Sequence, residues 1–152
     1  MTESLILRDA TIADLPAIVA MLADDKLGST REDLGNLAPY EAAFAEVDAD
    51  ANQRLIVAER DGVAVGTFQL SFIPGIAQQG LKRAMIESVR VATGERGSGL
   101  GTQMMQWAIE EARRAGCKQV QLTSNAARPD AHRFYERLGF VPSHVGFKLK
   151  LG

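Results

Sequence analysis

The stretch VRVATGERGSGLGTQM, Val89 to Met104, places four glycines within the eight residues Gly94 to Gly101. Before it lies an alternating segment, Met85-Ile86-Glu87-Ser88-Val89-Arg90-Val91. After it, Leu100, Met104, Met105, Ala108, Ile109 and Ala112 recur at helical intervals up to Arg114. A strand, a glycine-rich turn and a helix together present backbone N–H groups to a phosphate, at the helix end whose dipole favours an anion. Which phosphate the turn serves decides the fold and the chemistry.

Working outward, the apolar run within Ser4 to Asp9 reads as a first strand. Thr11 or Asp14 can cap a helix whose apolar positions, Leu15, Ile18, Val19 and Leu22, lie on one face. Residues 23–37 are polar, broken by Gly28 and Gly35, and read as a loop or short helix. Pro39 to Val47 reads as a second helix with the stripe Ala43, Phe44, Val47. Two β-prone runs, Leu55 to Glu59 and Val63 to Leu70, flank Arg60-Asp61-Gly62, and Asp-Gly between such runs signals a hairpin. Lys82 to Val91 is a third strand leading into the glycines, and Gly116 ends the helix that follows them. Val120 to Thr123 is a short strand, and Pro129 to Leu138 a last helix with Ala131, Phe134, Tyr135 and Leu138 on one face. Phe140 to Leu151 is expected to close the sheet as a strand or hairpin. This alternation of elements implies an α/β layered domain with a mixed sheet, one domain over residues 1–152.

Composition sets further bounds. A net charge of −2 without a basic run argues against nucleic acid as a partner, and no apolar run is long enough to span a membrane. The N-terminus lacks the basic start and apolar core of a signal peptide, and the single cysteine, Cys117, suits a reducing compartment. A cytoplasmic protein is expected.

Two familiar phosphate loops fail on their chemistry. Gly94 to Gly99 has the spacing of a P-loop, but Leu100-Gly101 stands where the phosphate-binding Lys and the magnesium-binding Ser/Thr belong. A dinucleotide fingerprint fails because Thr102 or Met104 occupies the place of its third glycine. The pattern that fits is Arg/Gln-x-x-Gly-x-Gly/Ala, which Arg96-Gly97-Ser98-Gly99-Leu100-Gly101 matches at every fixed position. With AHRFYERLGF, Ala131 to Phe140, in the expected place about thirty residues on, the chain resembles the GNAT superfamily of N-acetyltransferases. The resemblance implies the GNAT-type acyl-coenzyme A N-acyltransferase fold, a central mixed, mostly antiparallel sheet with splayed parallel strands flanked by helices. It also implies acetyl-coenzyme A as co-substrate, no metal, and a primary amine of a small molecule, peptide or protein as acceptor. The amine would attack the thioester directly, through a tetrahedral intermediate.

What the resemblance implies can be set on individual residues. The backbone of Gly97, Ser98, Gly99, Leu100, Gly101 and Thr102 would wrap the coenzyme A pyrophosphate, with Arg96 and the Thr102 hydroxyl adding contacts. Val89 and Val91 would pair their backbone with the pantetheine arm, and a backbone N–H at a bulge in this strand would stabilise the oxyanion. Under strict alternation Glu87 shares a face with Met85, Val89 and Val91, so an acid among apolar neighbours becomes a candidate general base. A solvated or ion-paired strand glutamate is the other reading, and a bulge would reverse the alternation. Tyr135 is the candidate acid for the leaving thiolate, against a core tyrosine with a satisfied hydroxyl. Asn125 either bonds the pantetheine amides or caps a turn. Arg128 stands where many members of the family have asparagine, so either another residue holds the arm there or Arg128 reaches a phosphate. His132 and His144 have no ligand cluster around them, and Cys117 reads as a small buried residue rather than a nucleophile. Asp24, Asp25, Glu32 and Asp33 are either a solvated loop or the wall of a site for a cationic acceptor. The competing class is a non-catalytic acyl-coenzyme A sensor acting on a protein partner, and a homodimer is compatible with either reading.

Overall fold

The computed structural model describes residues 5–152, so Ser4 of the expected first strand lies outside the described residues. Five strands, β1 (Leu5–Asp9), β2 (Gln53–Arg60), β3 (Val63–Ile73), β4 (Arg83–Val91) and β5 (Gln119–Leu122), lie side by side in chain order. Every neighbouring pair is antiparallel except β4 and β5, which run parallel, so the sheet is mixed and mostly antiparallel as expected. The β2–β3 turn forms at the Asp-Gly pair. Asp61 and Gly62 have φ of 52° and 80°, the mirror-image turn whose twist matches a hairpin.

The helices are α1 (Leu15–Ala23), α2 (Gly28–Arg31), α3 (Ala38–Ala49), a single turn α4 (Ala77–Gly80), α5 (Leu100–Arg114) and α6 (Pro129–Arg137). Alternation in the strands gives the sheet two apolar faces. On one, Leu100, Met104, Met105, Ala108 and Ala112 of α5 pack against Ile56, Ala58, Phe68, Leu70, Ala84 and Ile86. Each large side chain fully buried this way stabilises by about 1.5–3 kcal/mol relative to exposure. On the other face, Val57 meets Ala10 and Ile18, with Leu22 and Phe44 packed around them. In α3, Phe44 and Val47 are half-buried but Ala43 is exposed, so its stripe is narrower than the expected Ala43-Phe44-Val47. Arg54 joins the layers: its guanidinium lies 5.4 Å from the centre of the Trp107 ring and bonds Asp9 and Glu111 at 2.9 and 2.8 Å.

Two departures from regular pairing shape the molecule. In β4, Glu87 pairs with Gln69 and Arg90 with Thr67, so Ser88 and Val89 together face Phe68. This is a β-bulge, and Ser88 carries φ of 55°. Next, β4 and β5 pair only from Arg83/Gln119 to Ile86/Leu122, after which they part and residues 87–91 of β4 keep β3 as their single strand neighbour. The splayed parallel strands of the expected fold are this divergence.

The expected strand or hairpin from Phe140 to Leu151 does not form, and residues 140–152 lie outside every helix and strand. Gly139, at φ of 101°, ends α6, and the Phe140 N–H donates to the Tyr135 carbonyl at 3.1 Å. Alternation of apolar residues fixes the faces of a strand, but a strand also needs a neighbouring backbone at about 4.8 Å. Beyond Phe140 this chain supplies none.

The bulge makes a direct prediction. Left-handed dihedrals are strained for a β-branched residue and free for glycine. Ser88→Val is expected to lower stability by about 1–2 kcal/mol in urea unfolding, with Ser88→Gly equal to or above the parent.

Candidate active site

The glycine loop owes its shape to a short 3-10 turn over Thr93–Glu95 and to two glycines, Gly97 and Gly99, with φ of 82° and 84°. These are dihedrals that side-chain-bearing residues seldom adopt. The Ser98 hydroxyl donates to the Glu95 carbonyl at 2.6 Å, and Glu95 is held by Arg60 at 3.0 Å. Among the described residues, the N–H groups of Gly97, Gly99, Gly101 and Thr102 find no hydrogen-bond partner. They converge at the start of the fifteen-residue helix α5, a cradle suited to a diphosphate. Gly101 is also small for a packing reason: a Cβ there would sit 3.3 Å from the Phe134 ring of α6. Leu100 is 1% exposed, so its side chain belongs to the core and only its backbone faces the loop. Arg96 is largely exposed, its guanidinium 4.0 Å from Asp24.

Beside the loop, the parting of β4 and β5 leaves a slot along residues 87–91. An extended amide chain entering it would find strand backbone on one side, as an added strand does. Val89 and Val91 turn their side chains into the α5-side core and so line the slot with backbone alone.

The bulge corrects the expected surroundings of Glu87. Past Ser88 the alternation resets, so Val89 and Val91 share the core side with Ala84 and Ile86, while Glu87 is exposed. Glu87 is not an acid among apolar neighbours, and it makes no hydrogen bond or ion pair with any described residue.

Tyr135 fits its expected setting. The ring is half-buried, packed edge-on against Phe134 and Phe140 at centroid distances of 5.1 and 5.9 Å. Burial pushes its phenol up from the ordinary value of 10, partly opposed by the positive charges of Arg90 and Arg128. A phenol so placed stays protonated at neutral pH and can give its proton to a developing thiolate.

Those two arginines form a cluster that sequence reasoning missed. Arg128, at the start of α6, donates to Asp25 at 2.6 Å, and the Arg90 Nε lies 3.6 Å from the same carboxylate. Burial pushes the Asp25 carboxyl up. The Arg128 hydrogen bond, a 2.5 Å bond from the Gly28 N–H, and the two arginine charges outweigh it and hold the carboxyl at about 2. Gly28 is required at that bond, because a Cβ would fall 1.8 Å from the Leu22 carbonyl oxygen. The Arg90 Nε is buried without a hydrogen-bond acceptor, and burial followed by the Arg128 charge lowers the Arg90 pKa.

The other expected site residues divide. Asn125 caps its turn: its side-chain oxygen accepts from the Ala127 N–H at 2.8 Å, and its carbonyl meets the His132 ring at 2.9 Å. Of the loop acids, Asp24 accepts from the Thr93 hydroxyl at 2.5 Å, Glu32 from the Tyr40 hydroxyl at 2.9 Å, and Asp33 from the Gly35 N–H at 2.9 Å. With Asp25 also paired, each of the four has a hydrogen-bond partner within the protein, while Asp24 and Asp33 stay exposed. Cys117 is 7% exposed and burial pushes its thiol up, which fits a packing role.

The chain is similar to known proteins over nearly all its length. Residues 19–140 match the model of the acetyltransferase (GNAT) family. The aminoalkylphosphonate N-acetyltransferase of Salmonella typhimurium is 35% identical over 148 residues, covering 93% of this chain and 88% of its own. An L-methionine sulfoximine/L-methionine sulfone acetyltransferase of Pseudomonas paraeruginosa is 33% identical, covering 88% and 78%. Among solved structures, a protein described as a transcriptional regulator from Bacillus halodurans C-125 superposes with a TM-score of 0.93 at 45% identity, covering 97% and 100%.

Asp25 gives the site a pH signature. A carboxyl held down at about 2 contributes stability that is complete above its ordinary value of 3.8 and is lost as pH falls toward 2. Asp25→Asn is therefore expected to destabilise at neutral pH and to flatten the fall in Tm across that acid window.

Proposed function

This chain belongs to the GNAT acetyltransferase family and is an acyltransferase, and we propose that its acceptor is a small primary amine that also carries an anionic group, a phosphonate or a carboxylate. The observation that carries this reading is the arginine pair beside Tyr135, where Arg90 and Arg128 share Asp25, Glu32 also lies within electrostatic reach of Arg90, and the buried Arg90 Nε lacks an acceptor. A bound anion would complete that guanidinium with a charge-assisted hydrogen bond. The names of two relatives agree with it, since one acts on aminoalkylphosphonates and the other on an amino acid derivative.

Acetyl-coenzyme A is a substrate in this reading, and it supplies the activated thioester. The N–H groups of Gly97, Gly99, Gly101 and Thr102 hold its diphosphate, and Arg96 exchanges its distant aspartate for a phosphate. The backbone of Val89 and Val91 pairs with the amides of the arm, and the free amide group of Asn125 reaches the arm from the far side. Backbone N–H at the bulge stabilises charge on the carbonyl oxygen. Losing one such donor typically costs about 2.7–4 kcal/mol of the barrier. Arg90 and Arg128 fix the anionic end of the acceptor so that its amine faces the thioester. Glu87 takes the amine proton through water, the new C–N bond forms, and the C–S bond breaks as Tyr135 gives its phenolic proton to the sulfur. Bulk water then reprotonates Tyr135.

Thiol release from acetyl-coenzyme A over a panel of amines tests the reading. Aminoalkylphosphonates and amino acids are expected to be turned over and neutral alkylamines of the same length poorly. Donor binding with no thiol release from any amine would favour the sensor module instead. Arg90→Gln is expected to raise KM for the anionic amine about 10–100-fold, the equivalent of one hydrogen bond to a charged group, and to leave the weak reaction of neutral amines unchanged. Tyr135→Phe is expected to lower kcat by about 100-fold or more while the Kd for coenzyme A holds. Retained turnover would remove Tyr135 from the mechanism.

A further inference from the structure

Among the described residues six arginines are half-buried, and five of them meet a carboxylate. Arg8, Arg54, Arg60, Arg90 and Arg128 each have one between 2.6 and 3.6 Å away. Arg83, at the start of β4, is the exception: its guanidinium makes no hydrogen bond or ion pair with any described residue. It lies in a groove of about 300 Å³ shared with Gly75, Gln78, Gln119, Gln121 and His144, and no aspartate or glutamate lines that groove. The groove opens on the sheet face away from α5, because Gln119 and Gln121 alternate with Val120 and Leu122, which pack toward α5. The guanidinium runs close to Gly75, where an added Cβ would stand 3.6 Å from its Nη1. The loop that brings Gly75 and Gln78 there is strained. Gln78, Gln79 and Gly80 have φ of 55°, 61° and 77°, a left-handed turn that side-chain-bearing residues resist. Neither glutamine side chain has a hydrogen-bond partner among the described residues to hold it so. Strain of this kind gathers where a protein clamps a ligand.

We propose that this groove is a second anion site, separate from the arginine pair beside Tyr135, and that it takes a small molecule carrying a carboxylate or a phosphate. A guanidinium half withdrawn from water without a counter-charge is costly, and an oxyanion removes that cost through two parallel N–H bonds to its planar fork. The amides of Gln78, Gln119 and Gln121 add neutral donors and acceptors for the remaining oxygens and hydroxyls of such a molecule. The Ser143 hydroxyl bonds the Nδ1 of His144 at 2.7 Å, and when it donates, the ring proton lies on Nε2 and is free for the ligand. The volume is at the small end for ligand sites and the lining is polar, which selects a compact polar anion over a coenzyme or an apolar effector. Along β4, Arg83 lies ~13 Å from Glu87, so a small amine held by Arg90 does not reach it. A bound anion would join Arg83 of β4 to the glutamines of β5 at the end where the two strands are still paired.

Backbone amide resonances of the full chain, saturated with coenzyme A to fill the glycine loop, are followed by NMR as inorganic phosphate or, separately, malonate is added. Saturable shifts are expected at Gly75, Gln119 and Gln121, with a Kd on the order of millimolar for probes this small. Tighter phosphate binding points to a phosphate ester as the natural ligand, and tighter malonate binding to a carboxylic acid. Arg83→Gln is expected to weaken these shifts by about 10-fold or more while shifts around Arg90 persist, and Arg83→Lys, which keeps the charge but not the fork, to fall between. The dispersion of the same spectra reports whether each variant is folded. Two results overturn the proposal: no saturable shift at the groove with either probe, or equal shifts in folded Arg83→Gln. The separation of the two sites has its own test. Adding 2-aminoethylphosphonate is expected to leave malonate binding at the groove unchanged, and displacement there would make the groove part of the acceptor site and refute a second site.

Discussion

The pairing of Ser88 and Val89 together against Phe68 determines what each side of β4 presents, and the site follows from it. In a strand without that extra residue, Arg90 would point the same way as Ala84 and Ile86, into a core built of Phe68, Leu70 and the methionines of α5. A guanidinium there would be a buried charge without a counter-ion, which no other contact in the fold could offset. The bulge sends Arg90 to the α1 side, where Asp25 waits, and brings Val89 and Val91 into the core in its place. It also bends the strand where its parallel neighbour turns away, so the slot and the arginine cluster have a common origin.

Much of the fold was legible because its signals are local. The Asp61-Gly62 turn, the glycines at 97, 99, 116 and 139 with positive φ, and the 3.6-residue spacing of α5 each act through a few adjacent residues. The glycine loop could be read for the same reason, and so could Tyr135, whose place on the apolar side of α6 follows from spacing. What resisted reading depends on distance along the chain. Asp25 and Arg128 lie 103 positions apart, and neither residue type announces its partner. The one hint was Arg90 itself, a charge in an otherwise apolar stretch of strand directly before the glycines. Glu87 was misplaced because strict alternation was carried through a bulge that Ser88 does not advertise. Glycine or asparagine at that position would have signalled it. The C-terminal segment was misread for a related reason: its apolar alternation suggested a strand, but no neighbouring backbone pairs with residues 140–152.

One pair of neighbours has a consequence for how the two substrates affect each other. Asp24 accepts from Thr93 of the donor loop and lies 4.0 Å from Arg96, while Asp25, the next residue, carries Arg128 and faces Arg90. Consecutive side chains on one short turn thus contact both the glycine loop and the arginine cluster. An anion arriving at Arg96 competes with Asp24, and an anion arriving at Arg90 competes with Asp25. If releasing one aspartate shifts the peptide the two share, the other is disturbed with it. Under the proposed function, any free energy that one substrate gained or lost through that turn would be matched by the same factor for the other, because linkage between two binding events is reciprocal. The turn would then act as a thermodynamic lever one peptide bond long.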